Sequence, residues 1–112
     1  MTITAKNLVA GVALTNALVT EYTSPTNVTT VIKAATACNT SAGTVKLTIN
    51  IVRSGGAAGV LNTAISAMSI AAGITYNCPE LINKVLGPGD FIQAKDDTGA
   101  VTALIVDGIQ IS

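Results

Sequence analysis

A four-residue stretch near the end of the chain has residues of the types and order that perform acid–base chemistry. Residues 97–100, Asp-Thr-Gly-Ala, match the catalytic turn of retroviral-type aspartic proteases, in which two aspartates share one proton. Apolar residues lead into the turn of those enzymes, whereas Lys95 and Asp96 precede it here. We therefore interpret the stretch as an ordinary hairpin turn.

A glycine-rich tetrapeptide, Gly-Pro-Gly-Asp at residues 87–90, raises a second chemical possibility. Such a cluster lets a phosphate approach the backbone, but proline at the second position of a turn and glycine at the third also suit a tight reversal. We predict a positive φ at Gly89 and a hydrogen bond from a nearby backbone amide to Asp90. The segment 53–60 contains neither GK[ST] nor GxGxxG, so it predicts a flexible loop rather than a nucleotide site.

Other chemistry-bearing residues are few. Four aspartates would supply oxygen ligands for calcium if their loops converged, although they lack EF-hand spacing: Asp90, Asp96, Asp97 and Asp107. Cys38 and Cys78 have no second metal ligand nearby, which favours free, buried thiols. Histidine is absent, which excludes Ser-His-Asp and Cys-His catalysis. The sequence thus predicts a protein that is not an enzyme and has no catalytic, cofactor-binding or metal-binding residues.

The composition indicates a protein that associates with other protein surfaces. Six Lys or Arg balance six Asp or Glu, and charged residues make up only 11% of the 112 residues. Nucleic-acid binding needs clustered positive charge and a membrane span needs about 20 consecutive apolar residues, and the sequence has neither. We expect a single domain over residues 1–112, covered in part by its own copies or by a partner. A small Thr-rich monomer is the alternative.

Alternating apolar residues predict the strands that position these turns. The pattern is clearest in residues 44–52, where Val, Leu and Ile at odd positions alternate with polar residues. Residues 28–38 predict another strand, whose even positions, from Val28 through Ile32 to Cys38, share one face. Residues 39–43 would then be the hairpin loop between these two strands.

The remaining segments complete an all-β pattern. Residues 90–95 and 101–111 predict strands, the second with a bulge at Gly108 where the alternation is interrupted. Residues 59–73 suit a helix or a strand, and their flanking glycines favour a strand. Residues 1–20 form an N-terminal arm or an extra strand. Many short strands separated by turn residues predict an antiparallel β-sandwich or jelly roll.

Four segments follow one order of strand, Asn-Thr loop, strand, AAG turn and PGD corner: "EYTSPTNVTTVIKAATACNTSAGTVKLTINIV", "SIAAGITYNCPEL", "VLGPGDFIQAK" and "ALIVDGIQI". This order resembles the small β-sandwich virion proteins of tailed bacteriophages, which serve as capsid decoration (cement) or tail-associated subunits. The resemblance covers most of the chain from Glu21 onward and includes no catalytic signature. Residues 1–20 and the loop 54–59 depart from it, and a particular partner would be met there.

The resemblance implies a role in assembly. The expected function is that of a capsid decoration protein that binds and stabilises the capsid lattice as a homo-oligomer, in the first place a homotrimer. The implied partners are its own copies and the major capsid protein or other virion proteins, without nucleic acid or membrane. The implied location is the virion, after assembly in the host bacterial cytoplasm. The alternative is a tail- or fibre-associated module that binds a cell-surface glycan, although Tyr22, Tyr76 and Phe91 are the only aromatic residues.

Overall fold

The fold is built from antiparallel β-strands. A computed structural model describes residues 1–99 and 101–112 of the chain. The strands in those residues are β1 (Ile3–Ala13), β2 (Val19–Thr23), β3 (Thr29–Asn39), β4 (Val45–Val52), β5 (Thr63–Ile70), β6 (Thr75–Tyr76), β7 (Val85–Leu86), β8 (Phe91–Asp96) and β9 (Thr102–Ile111). Short 3-10 turns occupy Val60–Asn62 and Pro79–Leu81. Val, Ile and Thr recur in the longer strands because β-branched side chains pack well on a pleated surface.

The strands form two sheets that pack face to face. The five-stranded sheet has the order β1-β9-β3, and the short β6 and β7 both pair with the far edge of β3. The four-stranded sheet has the order β2-β8-β4-β5. With β6 and β7 counted as one interrupted strand, the first strand pairs with the eighth, the second with the seventh, the third with the sixth and the fourth with the fifth. This is the pairing of a long hairpin rolled into two sheets, so the predicted β-sandwich or jelly roll is confirmed.

The core lies between the two sheets. The odd positions of β4 point into it, as the alternation predicted, and Val45, Leu47 and Ile49 are almost fully buried. Ile32 of β3 and Leu104 of β9 face them from the five-stranded sheet. Removal of these aliphatic side chains from water is the main stabilising contribution in a chain with so few charges.

A bulge in β3 overturns part of the face predicted for that strand. Thr30 and Ile32 point into the core as expected, but the register with β9 shifts between Ile32 and Ala34. Beyond the bulge at Lys33, residues 35, 37 and 39 are buried and residues 34, 36 and 38 point outward. One extra residue inverts every later side chain, and alternation in a sequence does not reveal it.

Two connections that were predicted as hairpin turns instead cross between the sheets. Residues 40–44 lead from β3 in the five-stranded sheet to β4 in the four-stranded sheet. The connection that follows Asp96 returns the chain from β8 to β9, and Ala100 within it lies outside the described residues. In a jelly roll the neighbours of a strand come from distant parts of the sequence, so a short loop need not join paired strands.

The bulge predicted at Gly108 is wrong in its location. β9 keeps one alternation along its whole length, and the register shifts lie in its two neighbours, near Leu8 and Gly11 on β1 and at Lys33 on β3. A glycine is needed at position 108 for a different reason: a Cβ there would overlap the carbonyl oxygen of Val31. The close approach of β3 therefore explains the glycine.

The remaining segments agree with the sequence pattern. Residues 63–70 form β5, so the strand predicted within residues 59–73 is confirmed. The N-terminal segment supplies an extra strand, β1, which pairs with β9 and forms an edge of the five-stranded sheet. No helix in the described part of the chain has the length and apolar character needed to cross a membrane.

Candidate functional site

The Gly-Pro-Gly-Asp corner is hydrogen-bonded to the loop that follows β4. The amide of Asp90 donates to the carbonyl of Gly87 at 3.0 Å, and Gly89 has a φ of +83°, as predicted. The Asp90 carboxylate accepts hydrogen bonds from the amides of Gly87 and Ser54 and from the guanidinium of Arg53, each at 2.8 Å. The predicted bond from a backbone amide is thus confirmed. Asp90 occupies amides that a phosphate would require, so the corner is structural.

The electrostatics of the corner hold Asp90 in its charged form. Burial alone would raise the pKa of the carboxyl, but the hydrogen bonds from Arg53 and the two amides outweigh it and lower the pKa below its ordinary value. Arg53 also donates to the carbonyl of Val85 at 2.9 Å. The first residues of the loop that follows β4 are therefore anchored to β7 and to the start of β8.

The loop that follows β4 comprises residues 53–62. Beyond Ser54, side-chain amides hold it against the outer face of the four-stranded sheet. The buried Asn50 of β4 donates to the carbonyl of Gly59 at 3.1 Å and to Oδ1 of Asn62 at 2.8 Å. Asn62 accepts from the amide of Gly59 and donates to the carbonyl of Ala57, each at 2.9 Å. Thr63 donates to the Gly59 carbonyl at 3.0 Å. In the segment predicted to be a flexible loop, asparagines in and beside it thus hydrogen-bond the backbone of residues 57 and 59.

Val60 and Leu61 lie at the tip of the 53–62 loop. Their side chains are 90% and 102% exposed, so they pack against almost nothing in their own chain. Single exposed aliphatic residues are common, but two adjacent ones on a braced loop form a preformed apolar contact surface. We call this pair the loop knob. An open depression of about 270 Å³, lined in part by Ile51 and Lys84, lies beside it.

Residues 97–99 of the Asp-Thr-Gly-Ala stretch form a structural bend after β8. The buried Asp96 accepts hydrogen bonds from the amides of Thr98, Gly99 and Thr102. Asp97 accepts the amide of Lys46 at 2.9 Å, and this bond is the largest cause of its lowered pKa. Asp96 therefore binds amides in and just after the turn, a role that turn aspartates commonly have, and Asp97 links the turn to β4.

The four aspartates considered as calcium ligands do not form one cluster. Asp90 closes the Gly-Pro-Gly-Asp corner, Asp96 closes the turn after β8, Asp97 links that turn to β4, and Asp107 lies on the outer face of the five-stranded sheet. Within residues 1–99 and 101–112, no three His, Cys, Asp or Glu side chains come close enough to share a metal ion. The structure thus assigns three of the four carboxylates to backbone hydrogen bonds.

The two cysteines are free thiols in different environments. Cys78 is fully buried in the core, whereas Cys38 is half-buried on the outward side of β3, so the expectation of burial holds fully for Cys78 alone. Burial, and then the charge of Glu80, raises the pKa of Cys78 to about 12. Cys78 is therefore a neutral core side chain at physiological pH.

The three aromatic rings are all half-buried. The hydroxyl of Tyr22 is bonded to Thr30 at 2.7 Å and accepts from the side-chain amide of Gln110 at 2.8 Å. Tyr76 donates to the carboxylate of Glu80 at 2.6 Å, and burial together with that partner raises the pKa of Tyr76 to about 12. The rings thus take part in packing and hydrogen bonding within the fold.

The outer faces of the two sheets differ in chemistry. On the four-stranded sheet the outward residues are mostly polar, as in the adjacent pair Thr48 and Lys95 and the bonded pair Thr20 and Gln93, with the pair Val52 and Phe91 as an apolar exception. On the five-stranded sheet they are mostly aliphatic: Ile3, Ala5, Ala10, Ala13, Val31, Ala34, Val85, Ala103, Ile105, Ile109 and Ile111. Several of these are well exposed, including Ile3, Val85 and Ile105. We call this second surface the aliphatic face.

A chain in a solved viral structure aligns with this protein at low similarity. It comes from the structure of the infectious bursal disease virus Gx strain and aligns with a TM-score of 0.43 and 9% sequence identity, over 97% of this chain and 31% of that chain. The protein thus spans less than a third of the length of the chain that it matches. No protein-family model matches the sequence, and no curated protein does. Function therefore has to come from the residues of this chain.

Proposed function

We propose that the protein is a structural subunit of the virion of a tailed bacteriophage, a capsid decoration protein that binds the assembled lattice through its loop knob. It has no catalytic role in this proposal. Its partners are the major capsid protein and its own copies, and its location is the virion after assembly in the host bacterial cytoplasm. The observation that carries the proposal is the exposure of Val60 and Leu61 on a braced loop.

The energetics of the loop knob suit a repeated, weak contact. Burying an aliphatic side chain of this size contributes about 1.5–3 kcal/mol, so the pair contributes about 3–6 kcal/mol. An affinity built on that contribution alone is about millimolar. One copy therefore holds a free partner poorly, whereas a homo-oligomer on a lattice engages several sites at once.

The bracing of the loop makes this small surface usable. A flexible loop loses conformational freedom when it binds, at a cost of about 0.5–1.5 kcal/mol for each side chain that is immobilised. Asn50 and Asn62 already hold the loop backbone in place before any contact is made. Linking several such contacts raises the overall affinity by about 10²–10⁴ without any strong single interaction.

The fold and the surface composition add support. Jelly rolls are used by viral capsid proteins and by lectins, so the fold by itself does not separate the decoration role from the glycan-binding alternative. The half-buried, hydrogen-bonded positions of Tyr22 and Tyr76 disfavour stacking on a sugar, whereas the aliphatic loop knob favours a protein surface. Attachment through aliphatic residues also predicts tolerance of salt.

Co-sedimentation with phage shells tests the proposal. Purified protein is mixed with shells stripped of decoration, with tails, and with free capsid protein, at low and high salt. We expect it to sediment with shells at both salt concentrations and to bind free capsid protein weakly. Val60→Ser combined with Leu61→Ser should abolish sedimentation with shells. Ile74→Ser, which changes an aliphatic side chain that is 53% exposed away from the loop, is the matched control and should bind normally.

Three results would contradict the proposal. Binding to neither shells nor tails would exclude attachment to a virion. Binding to a sugar array in place of shells would support the glycan-binding alternative. Equal retention of the Val60→Ser/Leu61→Ser variant and the Ile74→Ser variant on shells would show that the loop knob is not the contact.

A further inference from the structure

We propose that the aliphatic face binds the same face of a second copy of the chain, and that the protein is a twofold dimer in solution. This inference is independent of the proposed virion role, because it concerns a different surface. It rests on the size of the face and on its charges, which are confined to the level of Asp107 and Lys33. A twofold axis pairs these opposite charges between the two copies. The loop knob remains free in such a dimer.

The aliphatic face is large enough for a stable contact. The area of the face follows from the strand geometry. Neighbouring strands are ~4.8 Å apart and ten residues span ~33 Å, so three long strands with the short β6 and β7 cover about 500–600 Å². Two copies would bury about 1,000–1,200 Å² together, which reaches the roughly 1,000 Å² minimum of a biological interface and is the size of the weaker, reversible ones. The outward Ile105 and Ile109 lie near the middle of this surface on β9, and Ile111 lies at its end. A face of this kind is more apolar than the exposed surface of a typical monomer.

The open edge of the sheet is a poorer site for a second copy than its face. β1 presents an unpaired edge, but its register with β9 shifts twice, between Asn7 and Val9 and between Ala10 and Val12. Such bulges interrupt the row of amides and carbonyls that an added strand would need. The aliphatic side chains on the face are unaffected by this interruption.

The charges on the face favour a second copy as the occupant. Asp107 is the carboxylate of this face and is half-buried; its Oδ1 atom lies buried within its own chain, so only the remainder of the side chain can meet a second copy. Lys33 occupies the β3 bulge at the same level and donates to Oδ1 of Asn83 at 3.0 Å, which leaves further ammonium protons free. A twofold axis that runs along the strands between β9 and β3 places each Asp107 beside Lys33 of the second copy. The whole face is then covered, and each carboxylate lies opposite an ammonium group of the other copy.

The geometry sets the number of copies. A single flat surface that binds its own equivalent forms a closed pair, since both copies use up the same face. The homotrimer expected from the sequence would need two different, complementary surfaces. A dimer through the aliphatic face is therefore an alternative to that trimer.

Sedimentation velocity and light scattering over a range of micromolar concentrations test the dimer. We expect a mass of two chains, each of 11.2 kDa, and dissociation on dilution. Ile105→Lys should weaken association by about tenfold or more, because it places an unpaired charge at the centre of the contact. Val60→Lys adds the same charge on the loop knob and should leave the dimer intact. Far-UV circular dichroism of both variants shows whether the fold is retained.

A charge exchange provides a second test that does not depend on one variant. Asp107→Lys should weaken the dimer, and Lys33→Asp added to it should restore association, because the pairing is re-formed with its signs reversed. Lys95→Asp, a charge reversal on the outer face of the other sheet, is the control and should have no effect.

Four outcomes would overturn the inference. These are a wild-type protein that stays monomeric, a mass of three chains, an Ile105→Lys variant that dimerises like wild type, and a double charge exchange without recovery. A monomer in which Ile105→Lys abolishes sedimentation with shells would assign the aliphatic face to the shell instead. The two proposals fail separately. The mass of the wild-type protein tests the dimer, and shell binding by the Val60→Ser/Leu61→Ser variant, whose dimer should be intact, tests the virion proposal.

Discussion

Replacement of Gly89 by valine should destabilise the protein by about 2–6 kcal/mol, through two separable effects. The first is conformational: Gly89 has a φ of +83°, a region in which a β-branched residue costs about 1–3 kcal/mol. The second is steric. A Cβ at this position would lie 2.6 Å from Oγ and 3.0 Å from Cβ of Ser54, so that residue has to move. Crowding of this kind costs about 1–3 kcal/mol.

The steric effect should spread to the corner as a whole. The amide of Ser54 bonds Asp90, and the amide of Gly89 bonds the carbonyl of Ser24 at 2.9 Å, so a displaced Ser54 disturbs the start of β8. Ser54→Gly removes both atoms that a new Cβ would meet. We therefore expect Gly89→Ala to cost less in the Ser54→Gly background than in the wild type, by about 1 kcal/mol in a double-mutant cycle.

Urea unfolding followed by far-UV circular dichroism measures both effects. The free energy of unfolding of the wild type, Gly89→Ala, Gly89→Val, Ser54→Gly and the double variant is compared at neutral pH. A Gly89→Val protein within about 0.5 kcal/mol of wild type would refute the conformational reasoning. An equal cost of Gly89→Ala in both backgrounds would refute the steric part. A Gly89→Val protein with wild-type stability but no shell binding would show that the corner is a recognition site.

Three further predictions concern other positions. Because its pKa is lowered in the folded protein, Asp90 stabilises the folded state at pH values above the ordinary aspartate pKa of about 3.9. This contribution is lost as the pH falls through the lower native pKa. Asp90→Asn should therefore flatten the acid side of a profile of urea stability measured from pH 2 to 7. Cys38 should react with a thiol reagent in the native protein, whereas Cys78, buried and with a pKa of about 12, should react only on unfolding; equal labelling by mass spectrometry would contradict this. Gly108→Ala should destabilise by about 2–5 kcal/mol, because the added Cβ overlaps the carbonyl of Val31, and an unchanged thermal midpoint would show that β3 moves away freely.

Local patterns in the sequence predicted the elements whose cause is local. The alternation in residues 44–52 predicted β4 and its buried side, because successive side chains of a strand point to opposite faces. Proline followed by glycine predicted the reversal at residues 87–90, because those residues limit φ whatever surrounds them. The absence of histidine excluded two catalytic mechanisms without reference to any fold.

Features that depend on distant parts of the chain were not predictable in this way. Residues 39–43 have the composition of a hairpin loop, but β3 pairs with β9 and not with β4, because the rolled-up hairpin brings the C-terminal strand between β1 and β3. The bulge at Lys33 arises opposite β9 at the level of Gly108, and it reverses the outward side chains of half a strand. Both follow from pairing partners that are far apart in sequence.

The surfaces proposed as functional belong to the same class. Residues on both sides of β9 are aliphatic, so periodicity defines two faces of that strand without showing which one meets the core. Only the packing of the four-stranded sheet shows that Leu104 and Val106 are buried while Ile105 is exposed. The four-residue spacing of Leu61 and Ile65 likewise predicts that both are buried on one side. Leu61 is nevertheless exposed, because the hydrogen bonds from Asn50 hold Gly59 and Asn62 outside the strand. Whether a side chain is buried depends on what packs against it. In this chain the packing group belongs to the other sheet or to a neighbouring strand, and both are distant in sequence.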